Sequence, residues 1–417
     1  MKAVFLSFLF PFFYFGSLLA QSRTDPWLEK YIRAHASDSL LHILNHPDSF
    51  RYQLIYTQIN RDKKNVPAFT NYYLHTDDTL YFNPASTVKL PTALMALEKL
   101  NDLRLRDLDK STPMFTDSAY RWQHPYLVDK TARNGLPSVG HYIKKIFLVS
   151  DNEAYNRLNE FVGQQALNEG LWKKGYTGSR ITRRFARLTT EENKYSNPIR
   201  FVRDSLIYAQ PAAYSTLSFD FSRRLLIGNA HYNSDDSLVK APMDFTTHNI
   251  FTLRDMQGML QAVLFPGSVT TARRFHLTQD DYRFLYRCLS EYPSESVYPR
   301  YDTTEYFDSY TKFFLFKARR RKIPSSVRVF NKTGWSYGFL TDVAYIADFE
   351  HATEFMLTGS IYVNRDGVIN DDKYDYETVG YPFFEEIGKL IYQYERARVR
   401  KHQPDLSHFQ LNYREEE

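Results

Sequence analysis

Apolar residues recur at helical spacing in some stretches of the chain and alternate with polar ones in others. Leu90, Ala93, Leu94, Leu97 and Leu100 lie three or four apart, which predicts an amphipathic helix that opens near Ser86 and packs against a core. Leu28, Ile32, Leu40, Leu41 and Ile43 predict an earlier helix over residues 27–44. Residues 51–59 (RYQLIYTQI) alternate and are rich in β-branched and aromatic side chains, so they read as a strand, and residues 80–82 as a shorter one. Further helical pieces fall at 139–148, 154–162 and 253–264, with few strand signals between 102 and 265. The polar, Tyr-rich stretch 200–250 takes no firm assignment. Three consecutive strands follow at 327–331, 342–349 and 354–363, the first two joined by the turn-prone Gly334-Trp335-Ser336-Tyr337-Gly338. A last amphipathic helix spans 381–398, and the tail after Pro404 reads as mobile.

Strands at both chain ends with helices between them imply a mixed α/β (α+β) fold. The expected architecture is an antiparallel sheet built from the two ends, flanked by helices, with an inserted all-α lobe. The sheet lobe should comprise about 27–100 and 325–398, the helical lobe about 102–265, and 200–325 should be rich in insertions. A cleft between lobes is where a site would form. Residues 1–20 stand apart. Lys2 is the only charge before the apolar run Val4 to Leu19, and Ser17-Leu18-Leu19-Ala20 closes it, the pattern of a secretory signal peptide cut after Ala20. No lipid-attachment cysteine follows, so the mature chain, 21–417, is expected outside the cytoplasm, in the periplasm, without a stable membrane span.

Composition narrows the picture further. Cys288 is the only cysteine, so stability must come from a core, for which 32 Phe and 32 Tyr supply abundant surface. A formal charge of +5 is too small to imply a nucleic-acid partner. The densest basic run, Lys317-Ala318-Arg319-Arg320-Arg321-Lys322, reads as a solvated loop or helix end, with attraction to an anionic envelope polymer as the sharper alternative. The 12 histidines form no H-E-x-x-H, there is no phosphate-binding glycine loop, and the acidic loop after Asn364 lacks calcium-ligand spacing, so no cofactor is implied.

The candidate chemistry lies at Ser86 and Lys89. Three apart at the start of a helix, they share a face, and a lysine that has lost its proton activates a neighbouring hydroxyl. S-x-x-K alone is weak: it recurs at Ser237/Lys240 and Ser309/Lys312, and only Ser86 opens a strongly periodic helix. Two further motifs occur once each, Ser150-Asp151-Asn152 before a helix and Lys332-Thr333-Gly334 after a strand. In this order the three sets resemble the serine β-lactamase and penicillin-binding transpeptidase superfamily, most closely the class A β-lactamase catalytic domain. The resemblance covers about 27–398 and is weakest across 200–325.

The resemblance implies a serine hydrolase that opens a β-lactam through an acyl-enzyme on Ser86. Lys89 would be base or proton relay, which requires its pKa of about 10.4 to fall by roughly 3, as burial and the cation Lys332 would cause. Ser150 would pass a proton to the leaving nitrogen, and Asn152 would position the substrate's amide side chain. Lys332 and Thr333 would hold the substrate carboxylate, while Gly334 permits close backbone approach. The N–H groups of Ser86 and Trp335 would receive the oxyanion. Related alternatives are a D-alanyl peptidase or esterase acting on cell-wall-like peptide, or a penicillin-binding sensor acylated once. Oligomeric state is left open.

Two departures from the family pattern stand out. The glutamate that activates the deacylating water has asparagine four positions on, yet neither Glu191 nor Glu192 does; that spacing joins Asn193 and Asn197 instead. Trp335 stands where the family has a small residue, which should narrow or reshape the cleft.

Overall fold

The computed structural model describes residues 22–320 and 322–413; the expected signal peptide lies outside them. Helices α1 (Pro26–His35) and α2 (Asp38–Leu44) divide the first predicted helix, because Ala36 is extended and the Ser37 hydroxyl caps α2 by accepting from Leu40 N–H at 3.2 Å. Strands β1 (Gln53–Arg61) and β2 (Pro67–Leu74) follow. Then come α3 (Lys89–Leu103), α4 (Val139–Leu148), α5 (Asn152–Val162), α6 (Gln164–Lys173), α7 (Leu253–Leu264) and α8 (Gln279–Ser290). The C-terminal part supplies β3 (Val327–Ser336), β4 (Phe339–Asp348), β5 (Thr353–Tyr362) and α9 (Tyr381–Ala397).

The five strands form one antiparallel sheet in the order β3-β4-β5-β1-β2, which unites the two chain ends. Strands β4 and β5 are buried along their whole length. Their alternation divides two cores. Val343, Tyr345 and Ala347 face the core shared with α3, α4, α5 and α7; Leu340, Ala344 and Ile346 face the one closed by α1, α2 and α9. Helix α3 is buried nearly all round, as a helix at the centre of a domain must be.

Four local expectations are corrected. Residues 80–82 are irregular: the carbonyls of Leu80 and Tyr81 take hydrogen bonds from the side chains of Gln53 (Nε2) and Arg51 (Nη2) and from no neighbouring strand. Between Met114 and Asp244 the chain carries several strands of two to five residues, too short to show a period. Strand β3 runs through Gly334 and Trp335 to Ser336, so the turn to β4 is only Tyr337 and Gly338. Both have positive φ (53° and 81°), the two-residue hairpin geometry that suits twisted strands. The tail is seated rather than mobile: Leu406, Phe409 and Tyr413 are buried, and Phe409 packs against Phe265, Phe330 and Tyr345 at 5.0–5.5 Å between ring centroids.

The basic run is not simply solvated either. Lys317 is buried over the rings of Phe307, Tyr310 and Tyr381 at 4.5–5.0 Å, where cation–π attraction replaces part of its hydration. Among the described residues no helix is long and apolar enough to cross a membrane.

Candidate active site

A 3₁₀ turn, Ala85–Val88, feeds directly into α3, so Ser86 sits one turn before the α-helix and Lys89 is its first residue. Side chains three apart eclipse in a 3₁₀ turn, and Lys89 Nζ donates to Ser86 Oγ at 2.9 Å. Pro91 falls in the first turn of α3, where its missing N–H costs no hydrogen bond. Ser86 is the most exposed residue of 81–90 and lines the cleft.

Between α4 and α5 the chain turns sharply. Ser150 has φ 62°, uncommon for a residue with a side chain. The strained residue is held from both sides, since Lys89 Nζ donates to its carbonyl oxygen and lies 3.2 Å from its hydroxyl. Asp151 caps α5 by accepting from Ala154 N–H at 2.8 Å, which fixes Asn152 as the first helical residue and puts its Oδ1 2.8 Å from Lys89 Nζ. The aspartate of this motif is therefore structural.

Strand β3 forms the opposite wall. Lys332 Nζ donates to Ser150 Oγ at 3.0 Å and to Thr333 O at 2.6 Å. At Gly334 the strand passes so close to the Ser86 turn that a Cβ would stand 2.5 Å from Pro84 O and 2.9 Å from Ser86 N. Only glycine fits. Ser86, Lys89, Ser150, Asn152 and Lys332 thus form one continuous hydrogen-bonded chain.

Electrostatics act mainly on the lysines. Burial, and secondarily the Lys332 cation, hold Lys89 well below its ordinary range, with Asp151 opposing. Burial also lowers Lys332, to about 7, against the pull of Asp342. Behind β3, Lys312 Nζ donates to Asn331 Oδ1 at 2.7 Å, and Asn331 Nδ2 donates to Asp342 Oδ1 at 2.8 Å. Burial lowers Lys312 and raises Asp342.

Ser86, Asn152 and Trp335 line a cleft of about 350 Å³, together with Phe185, Arg183, Arg187, His248, Asn249 and Tyr337. Lys89, Ser150, Lys332, Thr333 and Gly334 stand in the wall behind it, and the Thr333 hydroxyl is buried with no partner. Trp335 is braced edge-on by Tyr310, centroids 5.7 Å apart, so its bulk forms a fixed margin of the cleft. A larger hollow of about 1000 Å³, lined by Asp38, His42, Arg51 and Glu386 among others, holds none of the motif residues.

Residues 68–394, most of the chain, match the Beta-lactamase enzyme family. The chain belongs to the beta-lactamase enzyme family. Similar solved structures include the beta-lactamase of Sphaerobacter thermophilus DSM 20745, 14% identical over 86% of this chain and 96% of that one, with a TM-score of 0.47. Another is a beta lactamase from Xanthomonas campestris pv. campestris, 16% identical over 87% of this chain and 98% of that one, with a TM-score of 0.47. No curated protein sequence matches the chain. It is a hydrolase of beta-lactamase type.

The chain departs from the class A pattern at Glu191 and Glu192. Glu191 bonds to Tyr214 Oη at 2.9 Å and pairs with Lys194, while Glu192 accepts from Thr189 N–H at 2.7 Å; neither lines the cleft. Asn193 braces its own loop by accepting from Arg184 N–H, and Asn197 donates to Asp117 O. On that side of the cleft stands Phe185, its ring centroid 5.2 Å from Lys89 Nζ and its backbone gripped at both N–H and C=O by Asn156 on α5. No local pattern in the sequence points to Phe185, Arg183 or His248.

The other two S-x-x-K pairs lie elsewhere. Ser237 and Lys240 are exposed on a hairpin, and Ser309 and Lys312 are buried, with Lys312 spent on Leu289 O, Val329 O and Asn331.

Proposed function

We propose that this beta-lactamase opens β-lactams through a covalent ester on Ser86, and that the ester is hydrolysed slowly. The observation that carries the reading is Lys89 Nζ placed within hydrogen-bond reach of Ser86 Oγ in a site that lowers its proton affinity. Ser86 Oγ attacks the lactam carbonyl while its proton passes to neutral Lys89. The C–N bond then breaks, and the ring nitrogen takes a proton through the Ser150 hydroxyl, which both lysines face. The Ser86 and Trp335 N–H groups receive the oxyanion, Asn152 meets the substrate amide, and Lys332 with Thr333 attracts the carboxylate. Water finally cleaves the ester and frees Ser86. The reaction belongs outside the cytoplasm, a reading supported by the leader pattern of residues 1–20.

Slow deacylation follows from the cleft lining. Among the described residues no carboxylate lines the cleft with Ser86, and a phenyl ring, that of Phe185, stands 5.2 Å from Lys89 Nζ. Loss of a general base typically costs about 10²–10⁴ in rate. From an ordinary turnover of about 10 s⁻¹, the adduct should last on the order of seconds to minutes. Intact-mass spectrometry after a brief penicillin pulse should show one added penicillin, mapped to the peptide carrying Ser86. An unmodified protein, or an adduct elsewhere, overturns the reading. The same lining favours an acylated-once sensor as second reading, which an adduct stable for hours would select.

The pH profile follows from the two lysines. Acylation should rise with pH as Lys89 gives up its proton. Loss of the Lys332 cation, which passes through about 7, should oppose that rise, because the charge that attracts the substrate carboxylate disappears. A lactam whose carboxylate is esterified should escape that opposition. Its persistence assigns it to another group.

A further inference from the structure

We infer that the Asn152 side of the cleft is built for an acyl side chain ending in a carboxylate, received by Arg183. The inference rests on the Ser86 acyl-enzyme reading, in which Asn152 marks the acyl side of the substrate. Arg183 lines the cleft with Ser86 and Asn152, and Arg187 lies on its rim, exposed. Among the described residues neither guanidinium pairs with a carboxylate. That contrasts with Arg184 between them, which points away to Glu160 at 2.7 Å.

Arg183 is held in place. Its backbone N–H donates to Asn249 Oδ1 at 3.0 Å, and Asn249 Nδ2 returns a bond to its carbonyl at 3.2 Å. Its Nη1 donates to His248 Nε2 at 2.8 Å, which uses one edge of the guanidinium and leaves the others for a ligand. His248 can accept only when neutral, and burial together with Arg183 holds it down at about 3. The carboxylate that acts on His248, Asp244, is already paired with Arg224 at 2.9 Å. A cation fixed by a neutral acceptor, lining the cleft and paired with no carboxylate among the described residues, is the arrangement that selects carboxylates.

The test is a matched pair of cephalosporins, one with a glutaryl side chain and one with the terminal carboxylate converted to a primary amide. Second-order acylation rates for the native protein should favour the glutaryl compound by about tenfold or more, as a charge-assisted pair allows. In Arg183→Gln the ratio should fall toward one, and Arg183→Lys should keep an intermediate ratio because its point charge lacks the fork. Equal rates in the native protein overturn the inference, whether or not a variant folds. An unchanged ratio in Arg183→Gln overturns the assignment to Arg183. If neither compound acylates Ser86, the acyl-enzyme reading fails on its own. Calorimetry with the same two intact compounds then decides the inference: tighter glutaryl binding supports it, and equal affinity removes it.

Discussion

Lys89→Met is expected to slow β-lactam acylation of Ser86 by about 10³-fold while the protein remains folded. Methionine keeps the length and volume of the buried stem but has no nitrogen to take the serine proton. The Lys89 nitrogen is fully buried and makes four contacts, to Ser86 Oγ, Asn152 Oδ1 and both oxygens of Ser150. Removing it strands the Ser150 carbonyl, at a cost of about 1–3 kcal/mol. It also removes a nitrogen whose burial opposes its charged form, which offsets part of that cost. Thermal stability should therefore change little, within about 2 kcal/mol, and the loss of rate should be chemical. Pulse acylation read by mass measures the rate, and a melting curve measures the fold. A variant acylated within tenfold of the native rate would remove Lys89 as the base.

Gly334→Ala should lower acylation by about 10²–10³, in the range of losing one oxyanion donor. Its new methyl meets backbone on three sides, Pro84 O at 2.5 Å, Ser86 N at 2.9 Å and Thr87 N at 3.0 Å. None of these is the end of a flexible side chain, so β3 and the Ser86 turn must part. Overpacking of this kind costs about 1–3 kcal/mol of stability. Gly359→Ala on β5 is the control, because its methyl meets the Phe314 ring edge at 3.3 Å and nothing closer. It should retain near-native acylation, and equal losses in the two variants would mean that a methyl anywhere in the sheet is harmful.

Much of this was legible in the sequence because the features are local and periodic. The α3 stripe, the segments that became β1 and β3–β5, and α7 and α9 each carry a repeat long enough to read. The three motifs locate Ser86, Ser150 and Lys332, although their meeting is a property of the folded chain. Strand β2 escaped because it lies at the sheet edge and only Tyr73 and Leu74 are buried, so its residues show no regular alternation. The tail escaped because Leu406, Phe409 and Tyr413 are too few and too irregularly spaced among polar residues to show a period. Arg183 and Phe185 escaped for a different reason. Their positions depend on side-chain to backbone bonds from Asn249 and Asn156, which no spacing rule encodes.

The sheet order has a consequence for how the chain must assemble. Strand β1 lies between β2 and β5, so Gln53 finds its neighbour only at Ser360. An emerging polypeptide cannot close this sheet until almost its entire length is available, and closure over such separations is slow. Until then the wall carrying Lys332 cannot meet Ser86. A nascent chain that has not yet delivered β3–β5 therefore lacks both the partner of β1 and the Lys332 wall of the cleft.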